Sequence, residues 1–306
     1  MKLSVIIPAF NNVEYVHMTL TALKQQRTTF NDWEVLLVDD SYDNQMSQFE
    51  TWDFPSLRVI NKEHSGRTDT RNVGITSSLG DILVFMDSDM IVESDFVQSH
   101  YEKHQDSNCD ILLGKVNHIS FEHLEDVRKI VYSETQSISE IENYVVGDSY
   151  LDLTSLLYSN PEVSKRIGWI CCLFSNCSVK RKAIEKSGLF DTEFIGWGLE
   201  DIEMGYRFHL NGYSFQHSNQ VKNYHVDHAT NGDRMLSDMS ANLKRMYKKH
   251  HDNNIRCYMS FVAGFRSITS FLNEISKEEI EFKEGNEVFF KPIQYVKSKS
   301  LKKLHD

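Results

Sequence analysis

Residues 82–90 read ILVFMDSDM. Five apolar residues run unbroken into two aspartates one residue apart, Asp87 and Asp89. A short apolar run of this length reads as a buried strand. On an extended strand, side chains at i and i+2 point the same way, so the two carboxylates converge if the strand persists through Ser88. Two ionised carboxylates that close repel each other unless a proton or a cation relieves them. Hard divalent cations such as Mn²⁺ and Mg²⁺ take oxygen ligands. Taken alone, a solvated turn accounts for the pair as well as a metal does.

Working outward, LSVIIPAF (3–10) is rich in β-branched residues and reads as a buried strand that ends at its proline. Residues 12–26 carry Val13, Val16, Leu20 and Leu23 at helical spacing, with Asn11 or Asn12 as cap. WEVLLVDDS (33–41) and LRVINK (57–62) read as further strands, and 65–80 as a helix entered through Gly66. Strands and helices alternating at this spacing predict an α/β fold with a mostly parallel sheet flanked by helices. In such sheets ligands bind beyond the carboxyl ends of the strands. Acids stand at those ends: Asp39 and Asp40 after the second strand, Asp87 and Asp89 after the fourth.

Farther along, 94–105 reads as a helix capped by Ser94, and 109–116 as a strand. Residues 175–191 read as strand, helix and a turn at Gly188. Residues 196–215 open on glycines and become a helix with Ile202, Tyr206 and Leu210 as its inner stripe. From about Asp238 the pattern is helical again, ending in the lysine-rich KSKSLKKLHD.

The chain has 306 residues, 40% hydrophobic and 25% charged, enough for one large α/β domain or two smaller ones. Its formal net charge of −11 argues against non-specific nucleic-acid binding, so no nucleic-acid partner is expected. The first apolar run is too short for a signal peptide, and no stretch approaches the roughly 18 apolar residues of a spanning helix. The five cysteines are odd in number and form no CxxC pair, which argues against a disulfide framework or zinc knuckle. The reading is a reduced, cytoplasmic protein. The tail lysines are candidates for contact with the inner face of a membrane, though a solvated tail explains them more simply.

Several other residues carry chemistry only in company. Arg67 and Arg71 lie one helical turn apart and share a face, which suits phosphates but equally a solvated surface. GWGLED (196–201) sets an indole between two glycines, then Glu200 and Asp201 at a helix start. Acids are favourable in a first turn for dipole reasons alone; the functional alternative is a general base beside an acceptor hydroxyl. His225 and His228 could offer an imidazole to a metal, against the commoner role of a satisfied histidine. No HExxH, Walker loop or GxGxxG occurs.

In their order, SVIIPAFNN, EVLLVDDS, SGRTDTRNVGITSSLGDILVFMDSD and GLFDTEFIGWGLEDIEMGYRFHLNGY resemble a family-2 glycosyltransferase of the GT-A, Rossmann-like fold. The stretch Gly188 to His225 is most similar to β-1,4-galactosyltransferases and bacterial chondroitin-polymerase-type enzymes. The resemblance implies a domain over 1–235, with a nucleotide-sugar part at 1–118 and an acceptor part at 170–235. A helical C-terminal extension at 236–306 lies outside it. It implies a UDP-sugar donor, a glycan, lipid-linked or peptide acceptor, and a role in polysaccharide or other glycan synthesis. Pro8, Phe10, Asp40 (less so Asp39), Arg67, Arg71, Asp87 and Ser88 would serve the nucleotide. Asp87 and Asp89, as a DxD motif, and His225 would hold Mn²⁺ or Mg²⁺. Trp197, Gly198 and Glu200 would meet the acceptor, and Asp201 would be the base of an inverting transfer. Leu199 departs from the pattern, which often has glycine there. A retaining enzyme, a nucleotidyltransferase or a non-catalytic nucleotide-sugar module are the alternatives.

Overall fold

The computed structural model describes residues 1–146, 149–228 and 232–276. The lysine-rich tail lies outside them. In chain order, β1 (Leu3–Ala9), α1 (Val13–Lys24), β2 (Trp33–Asp39), β3 (Leu57–Asn61), α2 (Arg67–Ser77) and β4 (Ile82–Met86) form the first half. There follow β5 (Met90–Val92), α3 (Phe96–Lys103), β6 (Ile111–Ile119), α4 (Leu124–Val131), β7 (Val145–Val146), α5 (Ser149–Tyr158) and α6 (Pro161–Ile167). The remainder is β8 (Asn176–Lys180), α7 (Arg181–Ser187), α8 (Glu200–Leu210), β9 (Phe215–Val226), α9 (Gly232–His250), α10 (Asn253–Val262) and α11 (Ile268–Ser276).

One sheet runs β3-β2-β1-β4-β8-β6-β9-β5, with β7 on β6. Its first four strands are parallel, as the alternating sequence pattern predicts. Beyond β4 the sheet is mixed: β8 is antiparallel to both β4 and β6, and β9 is parallel to β6. The apolar strand β4 is central and buried on both faces. Leu83 and Phe85 enter one core, while Ile82, Val84 and Met86 enter the other. That parity follows from the two-residue side-chain period, and it explains why the run is unbroken rather than alternating.

Three expectations shift at the local level. Ser94 does not cap α3; Asp95 holds the cap position and makes no side-chain cap bond. Asn12 is the cap residue of α1, in the left-handed region and likewise without a side-chain cap bond. Leu210 is exposed rather than part of the inner stripe, whereas Ile202 and Tyr206 are buried. Among the described residues the C-terminal helices share a core with the sheet. Leu243 and Met246 of α9, Phe261 of α10 and Phe271 of α11 pack into the cluster that holds Trp169 and Tyr206. Helix α9 itself runs through position 235.

Candidate active site

Strand β4 ends at Met86, and the chain turns at Ser88 and Asp89. The extended backbone therefore does not persist, and the two aspartates part. Asp87 Oδ1 lies 3.1 Å from Arg71 Nη2. Asp89 Oδ2 instead lies 3.3 Å from His225 Nε2 and 3.1 Å from His228 Nε2. The turn is tied to α1 by Thr19 Oγ1, which donates to the Ser88 carbonyl at 2.9 Å.

Two clusters result. The first centres on Arg71, which is 1% exposed on the inner face of α2. Its Nη1 donates to Asp201 at 2.5 Å and Glu200 at 3.2 Å, the first residues of α8. Arg67, one turn earlier and half exposed, reaches Glu200 at 3.8 Å. Burial works against the charge of the Arg71 guanidinium, but Asp201, Asp87 and Glu200 outweigh it and hold its proton more firmly than usual. Asp201 also accepts the Phe174 backbone N–H at 3.0 Å. Burial pushes its carboxyl up to about 7; Arg71 opposes the rise and Glu200 adds to it. A carboxyl poised near neutrality can take a proton at physiological pH.

The second cluster is Asp89, His225 and His228, whose nitrogen and oxygen donors lie within 4.8 Å of one another. Burial would raise the Asp89 carboxyl, yet the two imidazoles keep it well below the usual carboxylate range. Its Oδ1 is buried without a hydrogen-bond partner. A buried carboxylate oxygen left unpaired beside two imidazoles fits a divalent cation, which would satisfy it. Strand β9, antiparallel to β5, delivers His225 opposite Met90. His118 of β6 and Asp227 form an adjoining group with His225: Asp227 Oδ1 lies 3.1 Å from His118 Nδ1 and 3.3 Å from His225 Nδ1. The sequence reading gave His118 and Asp227 no role. Their only signal was a shared imidazole and carboxylate chemistry, because β6 and β9 are far apart in sequence.

The remaining nucleotide-side residues sit at the carboxyl ends of β1 and β2. The Asp39 carboxylate is buried and accepts the N–H groups of Ser41 and Met46, both at 2.8 Å. Asp40 accepts the N–H of Ser65 at 2.9 Å, that of Gly66 at 3.0 Å and Lys62 Nζ at 2.6 Å. Burial works against its charge, but these donors outweigh it and leave the carboxyl below its ordinary value. Asp39 thus braces the loop that follows β2, and Asp40 the loop that opens α2. Pro8 lies in β1 opposite Val38. Phe10 is exposed and its ring stands 4.9 Å from His64 and 5.9 Å from Tyr42. Tyr42 and His64 line a cavity of about 450 Å³ with Asn61 and Lys62. Neither was singled out in the sequence.

Trp197 is half-buried against the core, between Gly196 and Gly198, whose φ values are 79° and 89°. Leu199 follows with φ 74°, a left-handed conformation that explains why glycine suits this position.

The sheet is that of the GT-A fold. Residues 1–349 of TarS from S. aureus, solved in complex with UDP-GlcNAc, superpose with a TM-score of 0.58 at 18% identity. The match covers 90% of this chain and 76% of that one. The sequence profile of glycosyl transferase family 2 matches residues 4–188, and the chain belongs to that family. An uncharacterized glycosyltransferase of Bacillus subtilis, YfnE, is 30% identical over 286 residues, which are 84% of this chain and 72% of that protein. The chondroitin synthase of Escherichia coli is 27% identical over 247 residues, 74% of this chain. The chain spans about a third of that synthase's length, 34%. Among the described residues no helix is long and apolar enough to cross a membrane.

Proposed function

We propose that the protein transfers a sugar from a UDP-sugar to a hydroxyl group of a glycan, lipid-linked or peptide acceptor, with inversion at the anomeric carbon. The observation that carries this reading is the mostly buried Asp201, pushed up to about 7 and joined through Arg71 to Asp87 at the end of the central strand. Asp201 takes the proton of the acceptor hydroxyl. The acceptor oxygen bonds to the anomeric carbon as the bond from that carbon to the diphosphate oxygen breaks on the opposite face. Arg71 holds Asp87, Glu200 and Asp201 in register; we assign it to positioning these carboxylates. The UDP-GlcNAc in the TarS complex supports the donor class, and a chondroitin synthase among the relatives supports glycan synthesis.

Asp89, His225 and His228 would hold the divalent cation, and the pair of imidazoles favours Mn²⁺ over Mg²⁺. When bound, such a cation would supply Lewis-acid neutralisation of the diphosphate charge. Asp87, turned to Arg71, is read as facing the donor rather than as the first metal ligand. Tyr42 and His64, with the Phe10 ring packed beside both, border the cavity that would take the nucleoside.

The test is UDP release from a panel of UDP-sugars with Mn²⁺, repeated in excess EDTA and with Asp201→Asn. The variant is expected to bind UDP like the wild type and to transfer nothing. Loss of UDP binding along with transfer would remove Asp201 from the role of base, and undiminished release in EDTA would remove the metal.

A further inference from the structure

The loop that carries Trp197 does not hold itself in place. Leu199 holds a strained left-handed backbone at φ 74°, and Gly196 and Gly198 leave an unsupported chain many other shapes. Its support comes from α9. Asp238, Asn242, Arg245 and Lys249 recur at helical spacing of four, three and four, so they form one stripe on that helix.

Each member of the stripe engages the segment 191–203 in turn. Asp238 Oδ2 accepts the Trp197 N–H at 3.0 Å. The same carboxylate packs so closely on Gly196 that a Cβ there would stand 2.3 Å from it. Asn242, 1% exposed, donates its amide to the Gly198 carbonyl at 2.8 Å and to that of Ile195 at 3.2 Å. Arg245 donates to Asn242 Oδ1 at 2.8 Å, which fixes the amide's orientation. The same guanidinium lies 5.9 Å from the Phe194 ring centroid. Lys249 bridges Asp191 and the fully buried Glu203 at 2.5 and 3.0 Å, and His250 meets Glu203 at 2.9 Å. Glu203 stands on α8 two residues beyond Asp201.

We infer that α9 is the strap of the acceptor loop: Asp238 and Asn242 are positioning residues that set Trp197 against Asp201 and so govern acceptor binding. The acceptor role of the loop rests on the function proposed above; the strap itself does not. The loop has no other side chain bonded to its Trp197 N–H or Gly198 carbonyl among the described residues, and both bonds come from one helix face. A segment outside the profile match at 4–188 thereby enters the acceptor side of the site.

The experiment measures amide hydrogen exchange of the full chain and UDP release in parallel. In Asp238→Ala and Asn242→Ala, exchange at 195–199 is expected to rise about tenfold, with β1 and β4 unchanged. Asp238→Asn keeps an acceptor oxygen and is expected to keep the protection. UDP release is followed with UDP-N-acetylglucosamine and UDP-glucose as donors, Mn²⁺, and p-nitrophenyl glycosides as acceptor probes. Asn242→Ala is expected to raise the probe KM by about fivefold or more while donor KM stays within about twofold. Wild-type exchange at 195–199 in both alanine variants would overturn the strap. So would a uniform rise across the sheet, or equal increases in donor and probe KM, since either marks general loss of structure. If the wild type releases no UDP from either donor, the transferase reading falls instead, and the exchange data alone decide the strap.

Discussion

Arg71 Nη1 stands 2.5 Å from Asp201 Oδ1, across 130 residues of sequence. This contact joins the helix after β3 to the helix after the glycine loop, and it places one buried cation among three carboxylates. Removing it leaves those charges uncompensated in a poorly solvated place. Arg71→Met is expected to cost about 3–5 kcal/mol of stability, the usual price of breaking a buried ion cluster from one side. Urea denaturation checks it. A loss below about 1 kcal/mol would mean that water reaches the carboxylates and replaces the guanidinium.

The pH dependence of activity and of stability should run in opposite directions at Asp201. Its carboxyl rises from the ordinary 3.8 to about 7 because burial disfavours the charged form. Between those values the folded chain binds a proton that the unfolded chain has released, so its stabilising contribution is present below 3.8 and is lost as pH rises through about 7. The ionised base appears over the same window. The pH profile of kcat/KM should therefore rise toward a limb near 7, while the melting temperature falls. Asp201→Asn should flatten the fall in melting temperature. A limb near 4 in the wild type would show that the carboxylate is solvated in the working enzyme.

Much of this arrangement is legible in the sequence. The unbroken run of β4 reveals a strand buried on both faces, and Asp87, Arg71, Glu200 and Asp201 do come together. The parting of Asp87 and Asp89 was hidden, because the strand-period argument assumes extended backbone and the chain turns at Ser88. Strand β9 was hidden too. FQHSNQVKNYHV is polar and its burial does not alternate cleanly, since its pairing with β6 shifts register between Gly114 and Lys115. With β9 unseen, nothing linked His118 to His225. The α9 stripe reads as ordinary surface charge until the loop it holds is placed against it.

Leu199 tests two opposed effects at one position. Its left-handed backbone, φ 74°, would be relieved by glycine, a gain of about 1 kcal/mol. Its side chain is 7% exposed and packed in the core, and deleting a buried leucine costs about 2–5 kcal/mol. The packing loss is larger, so Leu199→Gly should destabilise the chain by about 1–4 kcal/mol in a denaturant titration. A stabilised variant would mean that the strain outweighs the packing.

The histidines offer the most direct separation of a metal site from a hydrogen-bond network. His225 and His228 both address Asp89 Oδ2, while Asp227 stands 3.3 Å from His225 on its other nitrogen. If His225 and His228 are ligands, each alanine variant should weaken Mn²⁺ binding by at least about tenfold. Asp227→Asn, which orients His225 from its other nitrogen and also meets His118, should weaken it by about 10–100-fold without changing the number of ions bound. Equilibrium dialysis of Mn²⁺ measures both quantities without any substrate. If His228→Ala binds Mn²⁺ like the wild type, His228 serves only to hold Asp89. Loss in His225→Ala alone would then leave Asp89 and His225 as the protein's ligands, with His228 a neighbour that hydrogen-bonds the carboxylate.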